Sequence, residues 1–435
     1  MILFNNDILT YKSKMEQNGN FKKKEKKEFL SHKIKLLKID HRSIGKKLDL
    51  YHFQDEAPGM VFWHNNGYII FKELENFLRL KLNQYNYLEV KTPLITDISI
   101  WEKTGHWKIY KKAIFTTYSE NRNYCIKPMN CPAHIQIFKQ KLKSYKDLPL
   151  KIAEFGICHR NEPSGSLHGL MRLRNFTQDD AHIFCTKNQV REEIKNCIYM
   201  IYDIYHIFGF KKFFVKLSTR PLYKIGDDKL WDKTENDLLL ILKEMNINFK
   251  IQKKEGAFYG PKIEFSFFDC LDREWQCGTI QLDFTLPKCL KLFYINKKNK
   301  HSTPIIIHRA ILGSLERFIG ILLEEFSGYL PIWLAPIQII ILNISEKHIQ
   351  YVLKIFKIIK KNNIRIKYDI QNKHISFKIR KYTMQHIPYI LICGDQEIKN
   401  NFISVRDCFG KDLGFMKIHD IINEINKKIN NYYLK

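Results

Sequence analysis

The sequence reads as an α+β protein, a large domain on an antiparallel sheet followed by a small α/β domain. Three patterns carry this reading. Two strand-like segments, 151–162 and 169–185, flank the turn-rich loop PSGSLHGL at 163–170, which is how an antiparallel hairpin looks in sequence. Residues 67–88 and 308–326 repeat apolar side chains at helical spacing. Beyond Tyr329-Leu330-Pro331, apolar runs alternate with helical stretches, as in α/β units.

Taken in order, residues 1–40 are polar and basic, with the run KKKEKKEF at 22–29, and are expected to form a solvated tail or linker. The large domain is placed at 41–330. It opens on the amphipathic helix 67–88 and the strand LEVKTPLIT at 88–96, with Pro93 near its exit. The 151–162 and 169–185 strands follow, then a helix over 188–209 ending at Gly209, and strands over 213–221, 262–270 and 278–286. The apolar stretch 308–326 is predicted as a helix closing the domain. In the small domain, 331–435, strands are expected at 337–344, 364–370 and 389–394, with helices near 346–361 and 375–385.

Composition narrows the function. At roughly 100–200 residues per domain, 435 residues give two or three domains. The formal charge of +27 favours a polyanionic partner, most simply nucleic acid. An AT-rich coding bias toward Lys, Ile and Asn accounts for part of that excess. The ten cysteines form no C-x-x-C pair and no regular framework, which argues for a reducing compartment. No apolar run is long enough to span a membrane, and no signal-peptide core opens the chain. Asp7, Glu16 and Glu25 argue against a transit peptide, so the expected location is cytoplasmic.

Read as a strand, GLMRLRNFTQDDAHIFC (169–185) puts Arg172, Arg174, Phe176, Gln178, Asp180 and His182 on one face. Cations, an aromatic, an amide, a carboxylate and an imidazole in a row suit a polar ligand, although a half-solvated sheet surface would look similar. Arg160 and Arg172 bracket the Gly/Ser loop and could hold phosphate oxygens in bidentate fashion. Phe176 could stack on a base, and Glu162 could accept from an exocyclic amine. Arg317, close to Gly313 and Ser314, is a third candidate cation. No short Cys/His spacing announces a metal. A site assembled from distant elements could use Cys131, His182 and His308, although a plain core or solvated role is the usual reading of each.

Six blocks then carry a resemblance: EKTGHW (102–107), NYCIKPMNCPAH (123–134), CHRNEPSGSLHGLMRLRNFTQDDAHIF (158–184), EGAFYGPKIEF (255–265), WQCGTIQLDF (275–284) and IHRAILGSLERFIG (307–320). In this order they resemble the bacterial-type threonyl-tRNA synthetases, of the class II aminoacyl-tRNA synthetases, from about Asp40 to near the C-terminus. The resemblance implies a class II antiparallel catalytic domain followed by an anticodon-binding domain. Residues 67–97 would be motif 1, a homodimer interface with Pro93. The 151–184 hairpin would be motif 2, and 307–326 motif 3.

It also implies roles. Arg160 would bind the α-phosphate of ATP, Arg172 and Arg317 the distal phosphates, Phe176 and Glu162 the adenine, with Gln276 nearby and Mg2+ on the leaving pyrophosphate. Cys131, His182 and His308 would hold one Zn2+, open to the amino and hydroxyl groups of L-threonine. Asp180 would accept from that hydroxyl, with Met129, Gln178, Tyr259, Lys262 and Gln281 around it. His106 would relay a proton in transfer to tRNA(Thr). In the small domain Asn372, Lys378, Arg380, Glu397 and Arg406 would meet the anticodon. There the sequence departs, because Asp407, Cys408 and Phe409 follow where further basic residues are expected.

Family members of the bacterial type carry a ubiquitin-like module and an editing domain with an H-x-x-x-H site before the core. The first forty residues are too short for either and contain no such motif, so no editing of Ser-tRNA(Thr) in cis is expected. Two other readings fit the same residues: an RNA-binding paralogue without aminoacylation, and a zinc hydrolase acting on nucleotides.

Overall fold

The computed structural model describes residues 39–210 and 212–433; the basic tail, apart from Ile39 and Asp40, lies outside them. Among the described residues the large domain is built on an eight-stranded sheet. Its spatial order is Phe249–Gln252, Phe214–Ser218, Lys262–Phe268, Glu274–Asp283, Ile305–Ser314, Asn175–Cys185, Leu150–His159 and Leu88–Glu89. Neighbours are antiparallel except for the outermost pair at each edge.

The sheet has two apolar faces. One receives Ala181, Ile183, Ile263, Phe265 and Ile307 together with the helices Asn65–Gln84, Val190–Ile207 and Leu315–Glu325. The first of these helices buries Ile70, Phe71, Leu74, Phe77, Leu78 and Leu82, the i, i+3, i+4 stripe of a core-facing helix. Lys81 interrupts the stripe and is neutralised by Asp203 at 2.8 Å. The other face packs Ile152, Phe184 and Ile306 against the helix Cys131–Lys139. Beyond the end of that helix this second face opens into a cavity.

The small domain is a five-stranded sheet in the order Ile366–Asp369, Ile339–Asn343, Tyr389–Cys393, Ile403–Asp407, Asp412–Met416. The first three strands are parallel and the last two antiparallel. It docks on the large domain through buried Trp333, whose ring lies 5.2 Å from Phe77 and 5.6 Å from Phe208. Arg365 reaches Glu73 at 3.0 Å.

Four expectations need correction. First, 308–326 is not one helix: Ile305–Ser314 is a strand and only Leu315–Glu325 is helical. The strand is buried on both faces over Ile305–Leu312, so its apolar run shows no alternation and mimics a helix period. Gly313 (φ +80°) breaks it, and Ser314 caps the helix by accepting from Arg317 N–H. Second, 88–96 is not one strand. Leu88–Glu89 joins the main sheet, whereas Ile95–Asp97 belongs to a small sheet with Thr116–Ser119 and Arg122–Ile126. Between them Thr92 gives its N–H to the Glu154 carboxylate. Third, the 169–185 strand begins only at Asn175, because Gly169 (φ +45°) starts a turn. Arg172 and Arg174 therefore precede the strand. Fourth, the helices Asp228–Glu244 and Ile418–Tyr433 and the last two strands of the small domain were not read from the sequence.

Candidate active site

Register builds the site. Residues paired as Cα partners across neighbouring strands point to one face. One such row runs Ser218, Lys262, Gln281, His308, His182, Ile152. The adjacent row on that face runs Glu264, Thr279, Ala310, Asp180, Glu154. Period-2 alternation adds Gln178 and Phe176 further along the same strand as His182. The face lines a cavity of about 620 Å³, closed by Met129 and Cys131 at the start of a helix, by His106 and Tyr110, and by Tyr259. That volume suits a nucleotide with a small second substrate.

Cys131, His182 and His308 each offer one ligand atom, and all three atoms lie within 4.8 Å of one another. This set passes a chemical test for a metal. All three residues are buried, and burial pushes the Cys131 thiol well up and the His182 ring well down from their ordinary values. His182 is thus neutral, the ligand form of imidazole, while a thiolate at 131 calls for a cation beside it. His308 Nε2 lies 2.9 Å from Asp283 Oδ2, whose other oxygen takes the N–H groups of Thr285 and Leu286. The His308 ring therefore donates from Nε2, so its Nδ1 is the atom that would meet a metal.

Beside this trio, Asp180 accepts from Asn130 Nδ2 at 3.0 Å. It makes no hydrogen bond to His182 among the described residues, and burial raises its pKa. Tyr259 donates to Gln281 Oε1 at 2.6 Å, and Lys262 pairs with Glu264 at 2.7 Å. His106 is fully buried, with Nδ1 2.7 Å from the Thr104 hydroxyl. Thr104 donates its only proton to backbone carbonyls of the preceding turn, so His106 carries its hydrogen on Nδ1 and its lone pair on Nε2. Burial, with the charge of His308, lowers its pKa to about 4.

Three guanidinium groups, of Arg160, Arg172 and Arg317, line the same cavity. Arg317 donates from Nε to Met171 O at 2.8 Å and from Nη1 to Gln276 O at 2.5 Å. Burial and the nearby charges of Arg160 and Arg172 lower its pKa. That mutual repulsion is what an anion site stores. Arg160 sits 5.1 Å above the Phe176 ring and donates to Pro128 O. Arg172 is held by Glu162 Oε2 at 2.8 Å, so these two side chains face each other as they stand here. Gln276 donates to the Thr279 hydroxyl.

The resemblance did not supply the residues that hold the site. Arg174, without a role in the sequence reading, donates to Glu162 O and Ser164 Oγ and braces the Gly/Ser loop. Asp179 accepts the N–H groups of Ile311, Leu312 and Gly313, and Glu316 accepts that of Thr177. Together they lock the strand bulge before Arg317 to the 175–185 strand. His134, Glu154, Asn130 and Asp283 also went unassigned. For His134 a signal existed, because Cys131 and His134 are i, i+3 on one helix face.

In the small domain the structure corrects part of the expected anticodon set. Lys378 is 1% exposed, and its ammonium donates to Asn343 O and Oδ1 and Asp369 O, which ties strands together and leaves nothing for a base. Glu397 is buried and caps Gly394 N–H at 2.9 Å. Arg406 is engaged by Asp412 and Gly410 O. Asn372 and Arg380 remain exposed.

Residues 115–326 match the tRNA synthetase class II core domain (G, H, P, S and T), and residues 338–428 match an anticodon-binding domain. The chain belongs to the class II aminoacyl-tRNA synthetases. Among solved structures it is similar to one described as the RNA-binding domain of a threonyl-tRNA synthetase from Cryptosporidium parvum: 37% identity, TM-score 0.86, 89% of this chain and 98% of the other. A threonyl-tRNA synthetase structure from Aeropyrum pernix is similar at 26% identity and TM-score 0.79, covering 91% and 97%. A Giardia lamblia prolyl-tRNA synthetase shares the fold at 17% identity and TM-score 0.70, covering 90% and 78%. Among the described residues no helix is long and apolar enough to cross a membrane.

Proposed function

We propose that the protein is a threonyl-tRNA synthetase, which joins L-threonine to ATP as threonyl-adenylate and passes it to the 3′ end of tRNA(Thr). The observation that carries this over a prolyl reading is the Cys131, His182, His308 trio beside Asp180. Proline has no hydroxyl and no use for a metal or an acceptor carboxylate there, whereas threonine has an amine and a hydroxyl two carbons apart.

The three ligands would hold Zn2+, which when bound supplies a Lewis-acid site for that amine and hydroxyl. Asp180, with one oxygen fixed by Asn130, would accept from the hydroxyl with the other. Arg160, Arg172 and Arg317 would align the triphosphate as the threonine carboxylate attacks the α-phosphorus and pyrophosphate, carried with Mg2+, departs. Glu162 and Arg172 would part to receive ATP. In the second step a ribose hydroxyl of the terminal adenosine attacks the threonyl carbonyl, AMP leaves, and the Nε2 lone pair of neutral His106 would take the hydroxyl proton.

A homodimer through residues 67–97 is part of the proposal. It is supported by the exposure of Tyr68, Leu80, Leu88, Leu94 and Ile95 along that segment. The test is aminoacylation: threonine is expected to charge tRNA(Thr), and proline is expected to charge neither tRNA(Thr) nor tRNA(Pro). Charging with proline overturns the assignment.

A further inference from the structure

We infer that His134 and Glu154, which touch neither substrate nor metal, set the ring tautomer of His182 and so make it a ligand; this rests on the metal reading of the preceding section. His134 and His182 lie with their Nδ1 atoms 2.8 Å apart, rings edge to face at 4.8 Å. On its far side His134 Nε2 is 3.1 Å from Glu154 Oε2.

The direction of this chain follows from Glu154. Its Oε1 accepts from Thr92 N–H at 2.9 Å and Lys127 Nζ at 3.0 Å, and its Oε2 also accepts from the Thr92 hydroxyl at 2.8 Å. These three donors fix an ionised carboxylate that can only accept. His134 must therefore carry hydrogen on Nε2. Lys127 already balances the carboxylate charge, and the His134 ring is fully buried, so a second cation there would stand uncompensated. A neutral His134 has a bare Nδ1, and His182 must donate Nδ1–H to it. His182 is left with a lone pair on Nε2 alone.

Reversal of the chain would put hydrogen on His182 Nε2 and abolish its ligand character. Glu154→Gln is the variant that invites reversal. The backbone N–H and ammonium on the Oε1 side demand the amide oxygen, so the amide NH2 turns toward His134 Nε2. That ring would then donate from Nδ1. Thr92 lies in the loop beside Pro93, so the chain also links the 88–97 segment to the metal ligand.

The experiment titrates the purified full chain, stripped with chelator, with Co2+ and reads the thiolate charge-transfer and d–d bands. Wild type, Glu154→Gln and His134→Phe are compared, each first shown to be folded by circular dichroism. Loss of such an outer partner typically weakens metal binding about 10–100-fold. Both variants are expected to fall in that range, with KM for threonine raised, KM for ATP unchanged and activity recovered at excess Zn2+. Wild-type affinity in folded Glu154→Gln overturns the inference alone. A wild-type chain that binds no Co2+ overturns the metal reading and the inference with it. Should a variant unfold, histidine 15N shifts of wild type decide: an Nδ1–H His182 supports the inference and an Nε2–H His182 overturns it.

Discussion

Under the proposed function, Asp180 is the residue on which amino-acid choice would turn. One carboxylate oxygen is tied to Asn130 at 3.0 Å, and His182 is held by His134 instead. Orientation of His182 is thus not the work of Asp180, which leaves it for substrate. A site built to hydrogen-bond a hydroxyl rejects an analogue without one by about 10⁴–10⁵. Asp180→Ala is expected to narrow threonine-over-valine discrimination in pyrophosphate exchange at least a hundredfold, with the KM for ATP unchanged. Glu154 gives a prediction in pH. Burial alone would raise its pKa, but His134, Thr92 and Lys127 outweigh this and bring it from 4.5 to about 2. A depressed carboxyl contributes stability above its unfolded pKa and loses it as pH falls through the folded one. That is about 3 kcal/mol at neutral pH, lost between about pH 4.5 and 2. Denaturant unfolding should show the gap between wild type and Glu154→Gln closing over that window. The residues that gather around the cavity were legible because their blocks are distinctive. His134 was hidden because its role lies in a contact 48 residues away in sequence.

At the level of elements, the strand bulge before the Leu315–Glu325 helix aims Arg317. Asp179 takes three backbone N–H groups there while burial pushes its pKa up to about 6, against the pull of Arg309 and of those N–H donors. The adjoining Gly313 has φ +80°, and a Cβ on it would meet Cys277 O at 2.7 Å. Both strain and collision oppose any side chain there. Gly313→Ala is therefore expected to lower ATP affinity and pyrophosphate exchange at least tenfold, with metal content unchanged; parity with wild type in exchange would contradict the bulge's role. This element was also the least legible. The period of 308–326 suits a helix, and only burial on both faces reveals Ile305–Ser314 as a strand. By contrast, the period-2 faces of Asn175–Cys185 could be read directly, which placed Phe176, Gln178, Asp180 and His182 on one side.

For the whole molecule, a basic two-domain chain brings the cavity of the large domain and an anticodon-binding fold together. The domains meet at Trp333, Phe77 and Phe208 and through Arg365 and Glu73. The net charge of +27 suits a tRNA partner. Order of the domains was readable from the change in apolar pattern beyond Pro331, whereas the anticodon set was not: Lys378 and Glu397 look available in sequence and are buried in the fold. The cavity's selectivity follows from what it can and cannot contact. Valine loses the hydroxyl that a metal and Asp180 would use. Serine keeps the hydroxyl and lacks one methyl, worth only about 1–3 kcal/mol. The most direct measurement is ATP–pyrophosphate exchange with threonine, serine, valine and proline, run with and without a zinc chelator and after zinc is restored. Threonine should drive exchange fastest and serine within about 5–150-fold of it, with valine and proline silent; the chelator should abolish all of it and zinc should return it. Exchange driven by proline or valine, or threonine-driven exchange indifferent to full removal of metal, would contradict the account.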